Sequence, residues 1–440
     1  MGSSSETAAA PRAADEATAV EETPKPSSAE PAARPAPKRG RWKRRLLVTL
    51  AACPVLVLAL WIAIHHVPGL GGMLADTARA ILGNEAVARI EDFAYDVEDW
   101  ILRRTRTGTG AKAPWEVPPP TSGAPHPTAP PAPPAAPASA APATAVPAFH
   151  LSDVGPMHDA YATPGDGVWV PLRDPRRPDE TPRMLKTFLH PDRQRSWAFV
   201  AVVAVDLAHV DLHAVAGRYE PEPKTEEAKR YERKAKVPVE HHTALLAAFN
   251  GGYKSTHGRY GMKIDGVVLA PPRPLACAVA KLDDGAVRIA PWEKLADDEP
   301  RMVWYRQTPI CMYDDGKPHP GLSMSSLGWG ASAVSGTTVI RRSAIGIDAA
   351  GRRLYVAIGD HLTGATIGHA VRHAGAASVA QLDVNFSYPK LVTFDHRPGT
   401  GELVAVPLTP GFELDEDQYV GRRAQRDFFY LTRKEETTAR

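Results

Sequence analysis

The sequence predicts a mixed α and β (α+β) domain carried on a single transmembrane helix and a proline-rich stalk. Three observations predict it: one long uncharged apolar run, a proline-dense segment after it, and, from about residue 150, short Val- and Ala-rich runs punctuated by Asp-Gly turns. At 440 residues the length alone would allow two or three domains, but composition confines globular character to the C-terminal part.

Residues 1–45 read as a disordered cytoplasmic tail. The first forty are rich in Ala, Glu, Pro and Ser and have too few large apolar side chains to offset the entropy of ordering. From Leu46 to Ile64 no residue carries a charge. A helix of that length spans about 28 Å at roughly 1.5 Å per residue, close to the hydrocarbon core of a bilayer. This apolar run is longer than the h-region of a cleaved signal peptide, begins forty-odd residues in and lacks a convincing A-x-A cleavage site, so 46–64 is expected to be a membrane anchor. Pro54 inside it is tolerated more readily in a membrane helix than in water. Lys38, Arg39, Arg41, Lys43, Arg44 and Arg45 precede the run, whereas the first Lys or Arg after it is Arg79. That asymmetry predicts a cytoplasmic N-terminus and an extracytoplasmic C-terminal domain, periplasmic or at the cell surface. The formal charge of +2 then says little about partners, because topology accounts for the basic cluster. The lipid bilayer is one expected partner, and nothing supports nucleic-acid binding.

Between 65 and 104, Leu74, Ile81, Leu82, Ile90, Phe93, Val97 and Ile101 recur at largely helical spacing, predicting one or two amphipathic helices that pack or self-associate. The linker 105–149 contains twelve prolines in the thirty residues from Pro118 to Pro147. Proline fixes φ and favours polyproline II, so this stretch is expected to be a semi-rigid spacer reaching about 90 Å when extended.

The domain itself is expected over 150–432, with 433–440 a charged tail. Ser196 to Gly217 reads as a strand pair in a buried sheet. Asp265-Gly266 and Asp284-Gly285 mark two hairpins, and Asp348 enters the turn of a third. Thr366 is expected to cap a helix whose apolar face is Ile367, Ala370, Val371 and Ala374; Gly375 ends it, and SVAQLDV returns as a strand. Of the three cysteines, Cys53 falls in the expected span. Cys277 and Cys311 are left on the oxidising side, where compartment and even count favour a disulfide.

This framework sorts the acidic residues. Asp265, Asp284 and Asp348 are accounted for by turns, since Asp bonds its own backbone there. Asp383 is not: it ends a strand that follows a helix, where α/β sheets tend to place ligand-facing groups. Asp360 ends the strand LYVAIG before a loop with His361, as a ligand-facing residue or as a capping one. Asn250-Gly251-Gly252 closes the strand AAF, and paired glycines allow both an ordinary sharp turn and an anion-binding concavity of backbone N–H groups. Arg341 and Arg342 open the strand SAIGI, and a planar guanidinium suits bidentate phosphate recognition when other segments converge on it.

Taken in order, Asn250-Gly251-Gly252-Tyr253, the hairpin Gly261 to Gly266, Arg342-Ser343-Ala344-Ile345-Gly346 and Leu382-Asp383 resemble the motifs of the phosphodiester glycosidase domain family. Each motif alone is weak, and four in family order, over roughly Trp197 to Phe394, are fairly specific. In place of the family's Gly-Gly-Gly-Ser after the Asp stands Val384-Asn385-Phe386-Ser387-Tyr388-Pro389, and Lys254 replaces a second aromatic. This makes the chain a divergent branch.

The resemblance implies a catalytic-type fold and a hydrolase that cleaves a glycosidic C–O bond with a phosphoryl leaving group, acting on a glycan or sugar-phosphate of the envelope or exopolysaccharide. Phosphate leaves easily, so such a site needs cations for the phosphate and a carboxylate opposite the anomeric carbon more than a strong general acid. On that pattern Asp383 is general base, nucleophile or oxocarbenium stabiliser. Arg342 and the Gly251 and Gly252 amides hold phosphate, with His257 and Lys263 as further ligands or as plain loop and strand residues. Asn250 and Asn385 bind sugar hydroxyls, and Asp360 joins the substrate-binding set. No metal and no cofactor are expected: there is no H-E-x-x-H, no P-loop, no G-x-S-x-G, and neither extracytoplasmic cysteine has a nucleophile's context. The competing expectation is a non-catalytic glycan- or envelope-binding module, which the lost glycine loop favours.

Overall fold

The protein is described by a computed structural model that covers residues 70–106, 108, 110–118, 148–323, 336–412 and 414–434, with scattered positions between 52 and 67. The expected cytoplasmic tail, most of the expected span Leu46–Ile64, nearly all of the proline-dense segment and the chain beyond Lys434 lie outside the described residues. Among the described residues no helix is long and apolar enough to cross a membrane.

The domain is mixed α and β and dominated by sheets, three of which converge. The eight-stranded sheet runs β1 (Val170–Pro171), β2 (Met184–Leu189), β3 (Phe199–Asp206), β14 (Arg353–Leu362), β13 (Ile340–Ile347), β15 (Ser378–Val384), β11 (Tyr313–Asp314) and β12 (Lys317–Pro318). A five-stranded sheet holds β7 (Val267–Ala270), β6 (Met262–Ile264), β10 (Met302–Thr308), β8 (Cys277–Leu282) and β9 (Val287–Pro291). The other five-stranded sheet runs β17 (Leu403–Pro407), β16 (Leu391–His396), β5 (Leu245–Asn250), β18 (Phe428–Arg433) and β4 (Val210–Val215).

Side chains alternate across a strand, and β3 shows what that does here. Ala201, Val203 and Val205 enter the core shared with the two smaller sheets. Val200, Val202 and Ala204 enter a second core, beneath the helix Gly364–His373 with its Ile367, Ala370 and Val371. Both faces of the strand are therefore apolar, which is why the sequence from Phe199 to Val205 reads as a continuous run.

The three hairpins form where the turn residues place them: β6 pairs with β7, β8 with β9 and β13 with β14. At the first, Asp265 and Gly266 both have positive φ, 49° and 78°, the left-handed pair that a two-residue hairpin requires. Asp348 accepts from the backbone N–H of Arg352 and Arg353 and closes the third. The disulfide Cys277–Cys311 is present, with Cα atoms 4.7 Å apart, and ties β8 to the chain that follows β10.

Two expectations need correction. The segment Ser196 to Gly217 contains two strands, β3 and β4, but they do not pair; they enter different sheets. Asp206 accounts for the parting, since its carboxylate accepts from Ala208 N–H and contacts the His209 ring, fixing a turn between them. The helix after β14 starts three residues earlier than expected, with Thr363 as N-cap and Thr366 as its capping-box partner.

The segment before the proline run also differs from a free stalk. Two helices, Leu70–Leu82 and Asn84–Thr105, meet at Gly83. The second rests on the domain: Asp99 receives two hydrogen bonds from Arg195, at 2.6 and 2.7 Å, and Asp92 one from Thr338 at 2.7 Å. Residues on both flanks of the proline run are docked as well. Ala111 N–H donates to Ser196, Trp115 packs edge-on against Phe188, and Phe149 and Leu151 join the second core. The proline run thus joins two stretches that both lie on the domain, so its length does not separate the Asn84–Thr105 helix from the domain.

Replacing both Cys277 and Cys311 by Ala is expected to lower unfolding stability by about 2–4 kcal/mol, read from the denaturant midpoint, because it releases a constraint on the unfolded chain. An unchanged midpoint would show that the bridge does not constrain it.

Candidate active site

Segments far apart in sequence meet where the sheets converge. β5 ends at Asn250 and turns through Gly251 and Gly252, β13 begins at Ile340, and β15 ends just past Asp383. Asn250 is fully buried and brackets the others: its Nδ2 donates to Ser343 Oγ at 2.8 Å, and its Oδ1 accepts from Lys390 N–H at 3.1 Å. Ser343 in turn donates to the Asp383 carbonyl at 2.9 Å, and the Asp383 amide donates to the Gly251 carbonyl at 3.1 Å. The four family-like segments were expected to share one site, and three of them do.

The glycine turn does form an anion-binding concavity, and the protein fills it with its own carboxylate. Gly252 N–H donates to Asp427 Oδ2 at 2.8 Å and Gly251 N–H to the Asp427 carbonyl at 3.0 Å. A Cβ on Gly251 would lie 2.0 Å from Asp427 Oδ2, so glycine is required for that approach. Asp427 is paired fork to fork with Arg306, at 2.8 and 3.0 Å, and both side chains are at most 1% exposed. Arg306 also donates to the carbonyls of Tyr253 and Tyr260, at 2.7 and 3.0 Å.

Arg342 does not face a ligand either. It is fully buried, and its guanidinium donates to the carbonyls of Leu362 and Thr338, each at 2.8 Å. Burial pulls its pKa down to about 10, still cationic at neutral pH. It clamps the start of β13 to the end of β14. Tyr253 packs beside it, its hydroxyl contacted by Gln381 Nε2, and burial raises that phenol's pKa well above its ordinary value.

The carboxyl of Asp383 is enclosed near the end of β15. It is 2% exposed, and burial lifts its pKa to about 6 against the opposing pull of Arg426, whose Nη1 donates to Oδ2. Oδ1 accepts from the Val384 amide at 2.9 Å. The Arg426 guanidinium also lies 3.9 Å over the ring of Tyr388, and its side chain keeps 15% of its exposure. The partly exposed cation next to the carboxyl is therefore Arg426, which no sequence motif marks.

The bulky loop over 384–389 is clamped. Arg341 pairs with Asp360 at 2.8 Å, donates to the Phe386 carbonyl at 3.0 Å, and stacks over the rings of Phe386 and Phe412 at 4.1 and 4.7 Å. Asp360 therefore anchors Arg341 and also accepts from His361 N–H, which makes it a loop-capping residue. Asn385 turns back to accept from Ser387 N–H at 3.2 Å and stays half-buried. His257 is buried in the short turn Ser255–His257. Lys263 points away, donating to the Glu299 carbonyl at 2.9 Å, so the Asp265 hairpin is the motif left outside the cluster. The Asn84–Thr105 helix covers one side, its Ala88 packed with Tyr253, Ile340 and Val384. A hollow of about 640 Å³ elsewhere, lined by Asp174, Arg177, Glu180, Glu240 and Arg433, contains none of these residues, and several of its charges pair with one another.

No protein-family profile matches the sequence, and no curated protein matches it. Among solved structures, the chain is similar to the zebrafish N-acetylglucosamine-1-phosphodiester alpha-N-acetylglucosaminidase catalytic domain auto-inhibited by pro-peptide, at 15% identity and a TM-score of 0.38, over 60% of this chain and 87% of that one. It is also similar to a hypothetical protein from Synechocystis at 9% identity and a TM-score of 0.26, over 54% of this chain and 59% of that one. These are distant likenesses of fold alone.

Arg306→Met is expected to cost about 3–5 kcal/mol in denaturant unfolding, because it leaves Asp427 charged, buried and without its partner. A loss under about 1 kcal/mol, the scale of an exposed pair, would show that the pair is not buried as described.

Proposed function

We propose that the chain is a membrane-anchored hydrolase that cleaves a sugar-1-phosphodiester or related glycosidic bond in envelope or exopolysaccharide glycans. The observation that carries this reading is a buried carboxyl with a pKa of about 6, Asp383, held beside a partly exposed guanidinium, Arg426, by the Asn250, Ser343 and Gly251 contacts. In this reading Asp383 takes the proton of a water that attacks the anomeric carbon. The C–O bond to phosphate breaks and its electron pair leaves with the phosphate. Arg426 receives the phosphate in place of the enclosed Arg342. A phosphate that engages Arg426 also draws it off Asp383 and frees the carboxylate. Asn385 and Tyr388, both half-buried, are assigned to the sugar in this reading. The anchor at 46–64 and the extracytoplasmic domain belong to the same proposal, and the Cys277–Cys311 bridge supports an oxidising compartment.

The second reading, a non-catalytic glycan-binding module, draws on one observation: Asp383 is buried behind Arg426. Turnover of a sugar-1-phosphodiester by the full chain separates the two. Asp383→Asn is expected to abolish turnover with the fold intact, since the near-isosteric amide cannot take a proton. Asp265→Asn is expected to keep activity, because Asn-Gly makes an equally good hairpin. Full activity in Asp383→Asn, or its loss in Asp265→Asn without loss of stability, would refute the assignment.

The pH dependence follows from burial. A base with a pKa of about 6 gives a kcat/KM that rises through that pH as the carboxylate forms. Stability runs the other way. The folded pKa lies above the unfolded one, so Asp383's contribution is fully present below about pH 4, and it is lost as pH rises through about 6. The thermal midpoint of Asp383→Asn relative to wild type should therefore improve from pH 4.5 to pH 7.5. In Arg426→Ala, where the lowering cation is gone, the midpoint of the rate profile should move above 6. A midpoint that stays put or falls would remove Arg426 from the site.

A further inference from the structure

The Asn84–Thr105 helix has two faces with opposite fates. At 100° per residue, Ala88, Asp92, Tyr95, Asp99 and Leu102 lie on one side, the side that meets the domain through Tyr253, Thr338 and Arg195. Ile90, Phe93, Val97, Trp100 and Ile101 lie on the other, and they are 59, 70, 39, 55 and 45% exposed. The preceding helix adds Ile81 at 77% and Leu82 at 56%. An exposed apolar stripe of this size on a docked helix marks a surface that meets something.

Three features say what it meets. First, Ile64, the end of the uncharged run, stands six residues before Leu70, so the helix pair begins within about 20 Å of that end. Second, three acids of the second helix are drawn away from the stripe, Glu91 to Arg79, Asp92 to Thr338 and Asp99 to Arg195, while Asp96 lies at one border of it and Glu98 beyond the other. Third, Arg104 lies on the stripe with its guanidinium 3.7 Å over the Trp100 ring, and an amphipathic aromatic beside a long cationic side chain suits the level of lipid headgroups.

From these we infer that the outer face of the Asn84–Thr105 helix lies on the surface of a lipid bilayer, as a second contact beyond the anchor at 46–64. The inference rests in part on the reading of that anchor. Because the inner face of the same helix grips the domain, the domain then sits at the membrane surface.

Spin labels in the full chain test this, in a Cys53→Ser background where the bridged Cys277 and Cys311 do not react. Phe93→Cys is labelled in vesicles of phosphatidylcholine and phosphatidylglycerol, with Val239→Cys, on the domain and 75% exposed, as the aqueous reference. The ratio of oxygen to nickel-complex collision rates at Phe93 is expected to exceed the Val239 ratio severalfold. A ratio equal to that of Val239 places the face in water and overturns the inference. Low collision with both reagents, together with spin–spin broadening, places a second copy on the face and overturns it equally. Val55→Cys reports on the anchor separately: a lipid-buried Val55 with an aqueous Phe93 refutes only the helix face, whereas an aqueous Val55 with a lipid-exposed Phe93 upholds the face and refutes the anchor.

Discussion

The buried pair of Arg306 and Asp427 fixes the geometry on which the candidate site depends. Arg306 stands on β10 in one small sheet, Asp427 precedes β18 in the other, and the amides that Asp427 receives belong to the turn after β5. The Gly251 carbonyl, in a residue whose N–H donates to the Asp427 carbonyl, receives the amide of Asp383 from the large sheet, so one residue, Asp427, links all three sheets. Such a pair contributes little net stability, because desolvation offsets the attraction. What it supplies is position: the fork of Arg306 and the two amides fix Asp427 from several directions, and the turn that meets Asp383 has little freedom left.

Asp383 depends on that frame for its chemistry. Burial raises its pKa, and Arg426 pulls the other way and leaves it at about 6. The same guanidinium is the group a phosphate would meet first, since Arg342 is enclosed by carbonyls and the glycine amides are taken by Asp427. In the proposed reaction, substrate binding and exposure of the base would be coupled through one side chain.

Much of the frame was legible in the sequence, because it was written in short-range chemistry. Asp-Gly pairs marked hairpins, the Val and Ala runs marked buried strands, and Asp383 stood out as the acid no turn explained. What was not legible depended on tertiary partners. Arg306, Arg426 and Asp427 sit in stretches such as RAQRDFFY with no spacing signal, and only the packing of three sheets gives them meaning. The glycine turn was read as an ordinary sharp turn or an anion cradle, and sequence could not show that the anion is internal. For the same reason Arg342, on a strand buried on both faces, was expected to face a ligand and instead serves the backbone.

The central claim is that Asp383 directs water to carbon and not to phosphorus. Incubating the full chain with a sugar-1-phosphodiester in water enriched in oxygen-18, then analysing both products by mass spectrometry, reads that choice directly. The account predicts the label in the anomeric hydroxyl of the released sugar, with the phosphate unlabelled. Label in the phosphate, or no release of sugar above the Asp383→Asn background, would contradict it.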